Sequence, residues 1–383
     1  MRHKVFAVLL TLFMLSFFFI AEQHQRNWLL YLTALSAHAF MLDVSAWRRA
    51  FAHGSGLAVL VLIGIPLLSL AWSHGVEPRG VRALLVAGYC IFAVYFGVVQ
   101  LVAARPGDIE RLRNALLGAA VVGGAIAVVL GLQSAPSWFG RLHGALGLTN
   151  PVHASILLLA VTLPAIRRMT LDRAGLRWLA ACLVPWLFAG LAGARSAMGA
   201  YLIVGALLLT ARNATRTNLV IGMCGLVVVA IAVALIGVDP FRQLWLERGI
   251  SHRDVIFTEV WAQFRNCSPL IGCGIGTPLD FEFAGHQSSR PHSIFLGVLY
   301  YQGVLGLLAF LGSLGYLLFG ARSRSTANHI DLRDWMIMLG FALLANLTSG
   351  DHILVRATLF WSYFWLPVMV LAAGAARTMD SPR

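Results

Sequence analysis

The sequence has little charge of either sign and almost no lysine. Lys4 is the only lysine among the 29 Lys and Arg residues, and charged residues make up 12% of 383 positions. That share is about half of the usual one in soluble domains. No basic run is interleaved with aromatic side chains, as it would be in a surface that binds nucleic acid. These absences argue against a soluble domain and against a nucleic-acid partner.

Cysteine is also scarce, with five residues in the chain. Cys90, Cys182 and Cys224 fall in apolar runs and are expected to be small buried side chains. Cys267 and Cys273 share a polar segment and could form a disulfide if that face of the membrane is oxidising, a point that the sequence leaves open. No Cys-x-x-Cys or His/Cys cluster indicates zinc, and no Asp-x-Asp pair indicates a metal-dependent sugar-nucleotide enzyme. We therefore expect neither a metal nor a cofactor.

Long apolar runs dominate what is present. The mean hydropathy is +0.78, and 59% of the residues are hydrophobic. A helix that crosses a bilayer needs about 20 mainly apolar residues. The sequence predicts an all-α, polytopic membrane bundle of about twelve transmembrane helices, with residues 1–383 forming a single transmembrane domain. The predicted spans lie near 5–21, 27–42, 55–73, 82–103, 114–132, 153–166, 178–193, 197–211, 218–237, 293–320, 335–349 and 357–376.

The distribution of basic residues predicts how these spans are threaded. With an even number of spans, 18 of the 29 Lys and Arg residues lie on the side of the amino terminus and 11 on the opposite side. Short loops that carry the excess of Lys and Arg usually face the cytoplasm. We therefore expect both termini in the cytoplasm, and the longest polar loop on the outer face of the membrane.

That loop covers residues 238–292, between predicted spans 9 and 10. Within it, the segment that begins at Arg253 has the pattern of an amphipathic helix, with Ile256, Val260 and Phe264 on one stripe. Such a helix would lie on the membrane surface. The segment SPLIGCGIGTP that follows is rich in glycine and proline and is predicted to be irregular. Its GCGIG run follows no strand and precedes no fingerprint acid, so it does not indicate a nucleotide loop.

Arg195 stands between two apolar runs, in the stretch GLAGARSAMGAYL. An arginine at membrane depth costs at least about 2.5–3.5 kcal/mol on insertion scales and usually faces a cavity or a partner. The alternative is a hairpin that only reaches the headgroups, where the side chain would snorkel. Small residues on both sides of Arg195 would allow a ligand to approach the backbone, which favours a functional position.

Three more polar positions lie on the same predicted face. Asn150 precedes Pro151 and is also an ordinary start of a helix. Asp351 is the acid of the segment TSGDHILVR and could pair with an arginine or orient a histidine. His292 ends the long loop where an apolar span begins, which could make it a simple interfacial residue. Its near-neutral pKa would also suit proton abstraction from a lipid-linked substrate at the membrane boundary.

Three blocks of the sequence together resemble the bacterial O-antigen ligase and polymerase superfamily. They are RLHGALGLTNPVHASILL, GARSAMGAYL, and HRDVIFTEVWAQFRNCSPLIGCGIG followed by PHSIFLGVLYYQGVLGLL. The third block is the most specific, with Pro-x-x-Gly-x-Gly, His-Ser and Gly-x-x-Gly elements. The first two depart from the family pattern, because the order is Asn-Pro and because Ala194 and Ser196 flank Arg195. The resemblance covers most of the chain.

The resemblance implies a helical membrane glycosyltransferase of the GT-C-like class that acts at the periplasmic face without a metal. The donor would be a glycan on undecaprenyl pyrophosphate, the acceptor a sugar hydroxyl of lipid A-core, and membrane lipid would surround both. Arg195 and Arg253 would stabilise the leaving pyrophosphate, and His292 would act as the general base in an inverting transfer. The expected substrate-binding residues are Arg141, Asn150, Asp351 and Tyr301.

Other functions remain open at this point. An O-antigen polymerase of the same superfamily would use a second lipid-linked repeat as the acceptor, and some relatives transfer to a protein hydroxyl. A transporter or flippase for the lipid-linked sugar would explain the spans and the arginines. It places no demand on a histidine at the boundary, and it calls for polar residues through the depth of the bilayer. The ionisable residues of this chain are instead concentrated in loops, which argues against a transporter. We favour the ligase of lipopolysaccharide biosynthesis over the polymerase because the chain is compact and has one dominant outer loop.

Overall fold

The computed structural model describes residues 1–51, 54–134, 142, 144–169, 175–209, 253–283, 286–324 and 330–376, and these ranges are mainly helical. The helices up to residue 209 are α1 (Arg2–Phe19), α2 (Gln23–Met41), α3 (Val44–Phe51), α4 (Ser55–Leu68), α5 (Pro78–Ala104), α6 (Pro106–Ser134), α7 (Pro151–Met169), α8 (Gly175–Leu191) and α9 (Arg195–Leu209). The later ones are α10 (Arg253–Phe264), α11 (Ile294–Arg324), α12 (Leu332–Ala345) and α13 (Leu366–Ala376). The antiparallel hairpin β1 (Phe281–Phe283) and β2 (His286–Ser288) precedes α11.

Local sequence explains where several helices begin and end. Pro78, Pro106 and Pro151 each occupy the first position of a helix, where the missing N–H is not needed and the fixed φ is already helical. At the end of α8, Gly193 has a φ of 62°. The backbone N–H of Ala194 there donates to the carbonyl of Ala189, which is the bond pattern of a glycine-capped helix end. The chain turns at once into α9.

The prediction of an all-α membrane protein is confirmed, but the count of twelve spans is not. Within the described ranges, five helices are long and apolar enough to cross a membrane, and α2 with α3, bent by 104°, would make a sixth. The five are α1, α4 with its 3-10 extension to Trp72, α5, α6 and α11. A described helix also overlaps every other predicted span except 218–237, which lies outside the described residues, but these helices do not combine the length and hydropathy of a span.

At the end of the bundle that is opposite the long loop, buried charges join three helices. The Asp334 side chain is fully buried and accepts hydrogen bonds of 2.6 Å from both Arg113 and Arg167. Arg167 also pairs with Asp331, which caps the amino terminus of α12. A buried carboxylate is tolerated only when it is paired and hydrogen-bonded. The ends of α6 and α7 are therefore fixed against the start of α12, and the basic residues of these loops lie together as the charge pattern predicts.

The long loop is anchored on α11 by a short segment, residues 269–274, which we call the inserted segment. Helix α11 is broken at Gly303, where φ is 67° and ψ is −169°. The break frees two carbonyls and two N–H groups that would pair with each other in a continuous helix. The inserted segment pairs with all four of these groups. The bonds are Val304 N to Pro269 O (2.9 Å), Leu305 N to Leu270 O (3.0 Å), Cys273 N to Tyr300 O (2.8 Å) and Gly274 N to Tyr301 O (2.8 Å).

The inserted segment contacts α11 well beyond its first turns. Gly303 is nine residues after the start of α11, which places the contact about 14 Å along the helix. The exposed apolar side chains of Leu270 and Ile271 stand at the tip, and the Trp72 indole donates to the Ile271 carbonyl at 3.1 Å. Irregular backbone at membrane depth requires such internal hydrogen bonds. A disulfide between Cys267 and Cys273 closes the loop, so the pairing that the sequence left open is present.

This anchor predicts that Gly303 cannot be replaced without loss of stability. A Cβ at Gly303 would lie 2.3 Å from the carbonyl oxygen of Leu270, and a positive φ is unfavourable for alanine. We expect Gly303→Ala to lower the free energy of unfolding by about 1–3 kcal/mol, measured as a lower melting temperature in detergent.

Gly312→Ala is the matched control on the same helix, because a Cβ at Gly312 meets nothing within 4 Å. It should melt at the wild-type temperature or slightly higher, since alanine favours helix more than glycine does. Equal melting of the two variants would contradict the role assigned to the inserted segment.

Candidate functional site

Polar segments from distant parts of the chain meet at the end of the bundle that carries the long loop, which we call the loop end. A cavity of about 580 Å³ opens there. Its walls come from the start of α2, the start of α5, residues 147–153, the end of the long loop and residues 350–360. Twelve spans with both termini in the cytoplasm would place six connecting segments on the outer face. The walls of the cavity come from five of these six segments. The sixth contains Arg195, and a hydrogen bond from Leu142 N to Leu191 O ties its hairpin to the segment that leads to α7.

Arg195 is the first residue of α9, directly after the glycine turn that ends α8. Its side chain is half-buried and engages other groups of the protein, so it is not simply extended into solvent. Ala192, Gly193 and Ala194 form a short turn between α8 and α9, so Arg195 directly follows a tight hairpin of small residues.

Arg253 is the first residue of α10, and it lies close enough to Arg195 for the two charges to interact. The predicted stripe of Ile256, Val260 and Phe264 is buried and holds α10 against α11 and β1. Burial lowers the pKa of Arg253, and the positive charge of Arg195 lowers it further. Two neighbouring guanidiniums that repel each other form a region to which an anion would bind favourably.

His292 directly precedes Ser293, whose hydroxyl accepts a hydrogen bond from Leu296 N and caps α11. Its φ of 51° is left-handed, a conformation that is rare for a residue with a side chain and that costs about 1–3 kcal/mol. Burial is the largest effect that lowers the pKa of His292. The positive charges of Arg253 and then of Arg290 lower it further. The imidazole is therefore neutral at neutral pH.

Asp351 is brought to the loop end by close packing of its segment on α11. The first N–H of α11, from Ile294, donates to Ser349 O at 3.1 Å. A Cβ on Gly297 would lie 1.8 Å from the Asp351 carbonyl, so only glycine allows this approach. The Asp351 carboxylate lies 3.6 Å from Arg290 Nε. Burial raises the pKa of Asp351, and the charge of Arg290 offsets part of this effect.

Asn150 and Tyr301 each have a structural role in addition to the predicted role in substrate binding. The Asn150 Oδ1 accepts from the N–H groups of Val152 and His153 and so caps α7, while the residue also lines the cavity. Tyr301 is 6% exposed and packs edge-on against His352, and it is not among the residues that line the cavity. Among the predicted substrate-binding residues, Asn150 and Asp351 therefore border the cavity and Tyr301 supports its wall. Arg141 lies outside the described residues.

The structure adds residues that sequence reasoning did not favour. Arg290 borders the cavity, pairs with Asp351 and acts on His292, although its spacing in the sequence did not distinguish it from other arginines of the loop. Its position two residues before His292 was the available signal. His153 lies on the first turn of α7 and forms a 2.8 Å hydrogen bond between its Nδ1 and the Tyr363 hydroxyl. Arg26 also lines the cavity, and it was hidden at the edge of a predicted span.

The arrangement combines two chemical properties. Arg195 and Arg253 provide a positive region, and His292 lies within the field of Arg253 and of Arg290. Such a set can stabilise a developing anion and, next to it, accept a proton from a hydroxyl group. In the parts of the chain that the structure describes, no group of three or more His, Cys, Asp or Glu side chains could hold a metal ion.

Comparison with known proteins gives a match over part of the chain. No protein-family model matches the chain. Over 147 residues the chain is 31% identical to an O-antigen ligase of Pseudomonas aeruginosa strain PAO1. The match covers 38% of this chain and 35% of that relative, which is well under two thirds of its length. The resemblance to O-antigen ligases seen in the sequence is confirmed over this part.

Proposed function

We propose that this protein is an O-antigen ligase, a glycosyltransferase of the bacterial inner membrane. It would transfer a glycan from undecaprenyl pyrophosphate to a sugar hydroxyl of lipid A-core at the periplasmic face. The observation that carries the proposal is the placement of His292 within the field of Arg253, which in turn lies beside Arg195. The partial similarity to an O-antigen ligase supports the same reaction class.

The leaving group of this reaction explains the paired arginines. The bond between the anomeric carbon and the pyrophosphate oxygen breaks, and its electrons remain on a group that already carries negative charge. Guanidiniums that are already in place stabilise that charge without reorganisation, and removal of one such donor typically costs about 2.7–4 kcal/mol of the barrier. Arg195 and Arg253 would fill this role. Because arginine stays protonated and binds phosphate in a bidentate manner, it suits this leaving group better than lysine.

His292 would act on the other substrate. Its neutral imidazole accepts the proton of the acceptor hydroxyl while the hydroxyl oxygen attacks the anomeric carbon opposite the pyrophosphate. One direct displacement of this kind inverts the anomeric configuration. The left-handed backbone at His292 supports the role, because strained backbone that is maintained by its surroundings is often found at active sites. Asp351 and Arg290 would keep the neighbouring wall in place.

Replacement of the proposed base is the most direct genetic test. Asn tolerates a positive φ, so His292→Asn removes the base with little change to the backbone. We expect cells that depend on this variant to lose long-chain lipopolysaccharide and to accumulate undecaprenyl-linked polymer, as seen on a silver-stained gel and in lipid extracts.

His74→Asn, at an exposed histidine of another segment at the loop end, is the control and should keep the wild-type ladder. A normal ladder in His292→Asn would refute the proposed base. A single repeat attached to core would instead indicate a polymerase, whereas ligation activity that depends on two separated compartments would indicate a transporter.

The low pKa of His292 predicts the pH dependence of the purified enzyme. A general base must be neutral, and burial with the charges of Arg253 and Arg290 keeps the pKa below 6.5. As the pH falls, kcat/KM should therefore decline with a midpoint below pH 6.5, where the imidazole becomes protonated.

Arg290→Gln removes one of the charges that oppose this protonation, so the decline should move to higher pH. Arg265→Gln, at an exposed arginine of the same loop, should leave the profile unchanged. A wild-type decline centred above pH 6.5, or identical profiles in both variants, would contradict the assignment of the base.

A further inference from the structure

The cavity at the loop end is adjacent to the proposed reaction centre but distinct from it. Among the described residues that line it are Arg290 and Asp351, but not Arg195, Arg253 or His292. Arg290 lies two residues before His292, and its charge acts on that imidazole. The volume of about 580 Å³ falls within the range of about 300–1,000 Å³ that is typical of small-molecule sites.

Two buried polar atoms of the cavity wall have no hydrogen-bond partner. Arg26 is 8% exposed, and its Nε–H donates to no group. Its other contacts are long bonds to the carbonyls of Ala21 (3.3 Å) and Gly147 (3.5 Å), and the guanidinium lies 5.8 Å from the centre of the Phe17 ring. Among the described residues, no carboxylate lies within ion-pair distance of Arg26. The charge of Glu22 acts on Arg26 from beyond that distance and offsets part of the cost of burial. A buried cation with no carboxylate in contact is unfavourable unless a ligand supplies the charge.

The second atom is Nδ1 of His352, which lines the same cavity. Burial lowers the pKa of His352 to about 4, so its ring is neutral and adds no charge to the wall. Uncharged amides and hydroxyls of Gln23, Thr149, Asn150 and Thr358 share the lining. This mixture of donors and acceptors suits the hydroxyl groups of a sugar.

The charge of the wall is slightly positive. Three arginines line the cavity, Arg26, Arg290 and Arg356, against the two carboxylates of Glu77 and Asp351. The Asp351 carboxylate already has Arg290 as its partner. The positive charge that remains without a partner is that of the buried Arg26, which one carboxylate or phosphate would neutralise.

We infer that this cavity is the acceptor subsite, and that Arg26 binds an anionic substituent, a phosphate or a carboxylate, on the acceptor sugar. The identification of the bound sugar as the acceptor rests on the proposed function. Arg290 lines the cavity and lies two residues before His292, so a ligand bound there would lie next to the segment that carries the proposed base. The donor pyrophosphate would occupy the separate region of Arg195 and Arg253.

Binding of short-chain alkyl glycosides to the purified protein in detergent tests this inference without any donor. Three probes are compared by calorimetry, a phosphorylated glycoside, the glucuronide and the neutral glucoside. We expect at least one anionic probe to bind about tenfold more tightly than the neutral one, since a charge-assisted hydrogen bond is at least that strong. The two anionic probes distinguish phosphate from carboxylate.

Two kinds of variant locate the binding site. Arg26→Gln should abolish the preference for the anionic probe, and Arg26→Lys should keep most of it. Gly80 lines the cavity and a Cβ there meets nothing within 4 Å, so Gly80→Phe should fill the space and weaken binding of all three probes without a clash. Gly118→Phe, at an equally open position of α6 that does not line the cavity, should bind like the wild type.

The outcomes separate the inference from the proposed function. Equal binding of charged and neutral probes by the wild type, or an unchanged preference in Arg26→Gln, would overturn the acceptor subsite. Wild-type binding by Gly80→Phe would do the same. If the anionic preference and its dependence on Arg26 are observed but purified protein transfers no glycan, the subsite stands and the ligase reaction fails.

Discussion

The insertion of residues 269–274 into the break of α11 is the contact on which the rest of the site depends. Arg253 and His292 stand at opposite ends of the described part of the long loop, and this segment lies between them in the chain. Its four backbone hydrogen bonds replace the two that α11 lacks at Gly303. Because the loop is fixed to the helix that His292 precedes, α10 and the start of α11 cannot move independently. The glycines of the segment follow from this close backbone contact.

Charge is organised differently at the two ends of the bundle. At the end opposite the loop, Arg113 and Arg167 share the buried Asp334, and this network has a structural role. At the loop end, burial and the nearby charge of Arg195 both disfavour the protonated form of Arg253. Repulsion of this kind lowers stability in the free protein, and a bound anion would relieve it. The contrast within one chain supports a binding role for the arginines of the loop end.

Much of this architecture could be predicted from periodicity and charge. The helical bundle, the buried stripe of α10 and the tight hairpin before Arg195 follow from apolar spacing and from small residues, which act locally. The helix break at Gly303 and the approach of Gly297 to Asp351 could not be predicted, because they depend on contacts between distant segments. The same limit applies to Arg290 and Arg26, whose surroundings become apparent only when five segments meet. The number of membrane spans could not be predicted from apolar runs alone, because several of the apolar helices are shorter than a bilayer requires.

Binding of undecaprenyl pyrophosphate tests the central claim, that Arg253 is held in place to receive the leaving group. Affinity can be measured with purified protein in detergent for the wild type, Arg253→Gln and Arg265→Gln, the last at an exposed arginine just after α10. We predict that Arg253→Gln weakens binding at least tenfold, as expected for the loss of a charge-assisted contact, and that Arg265→Gln binds like the wild type. Equal affinity of Arg253→Gln and the wild type would contradict the account.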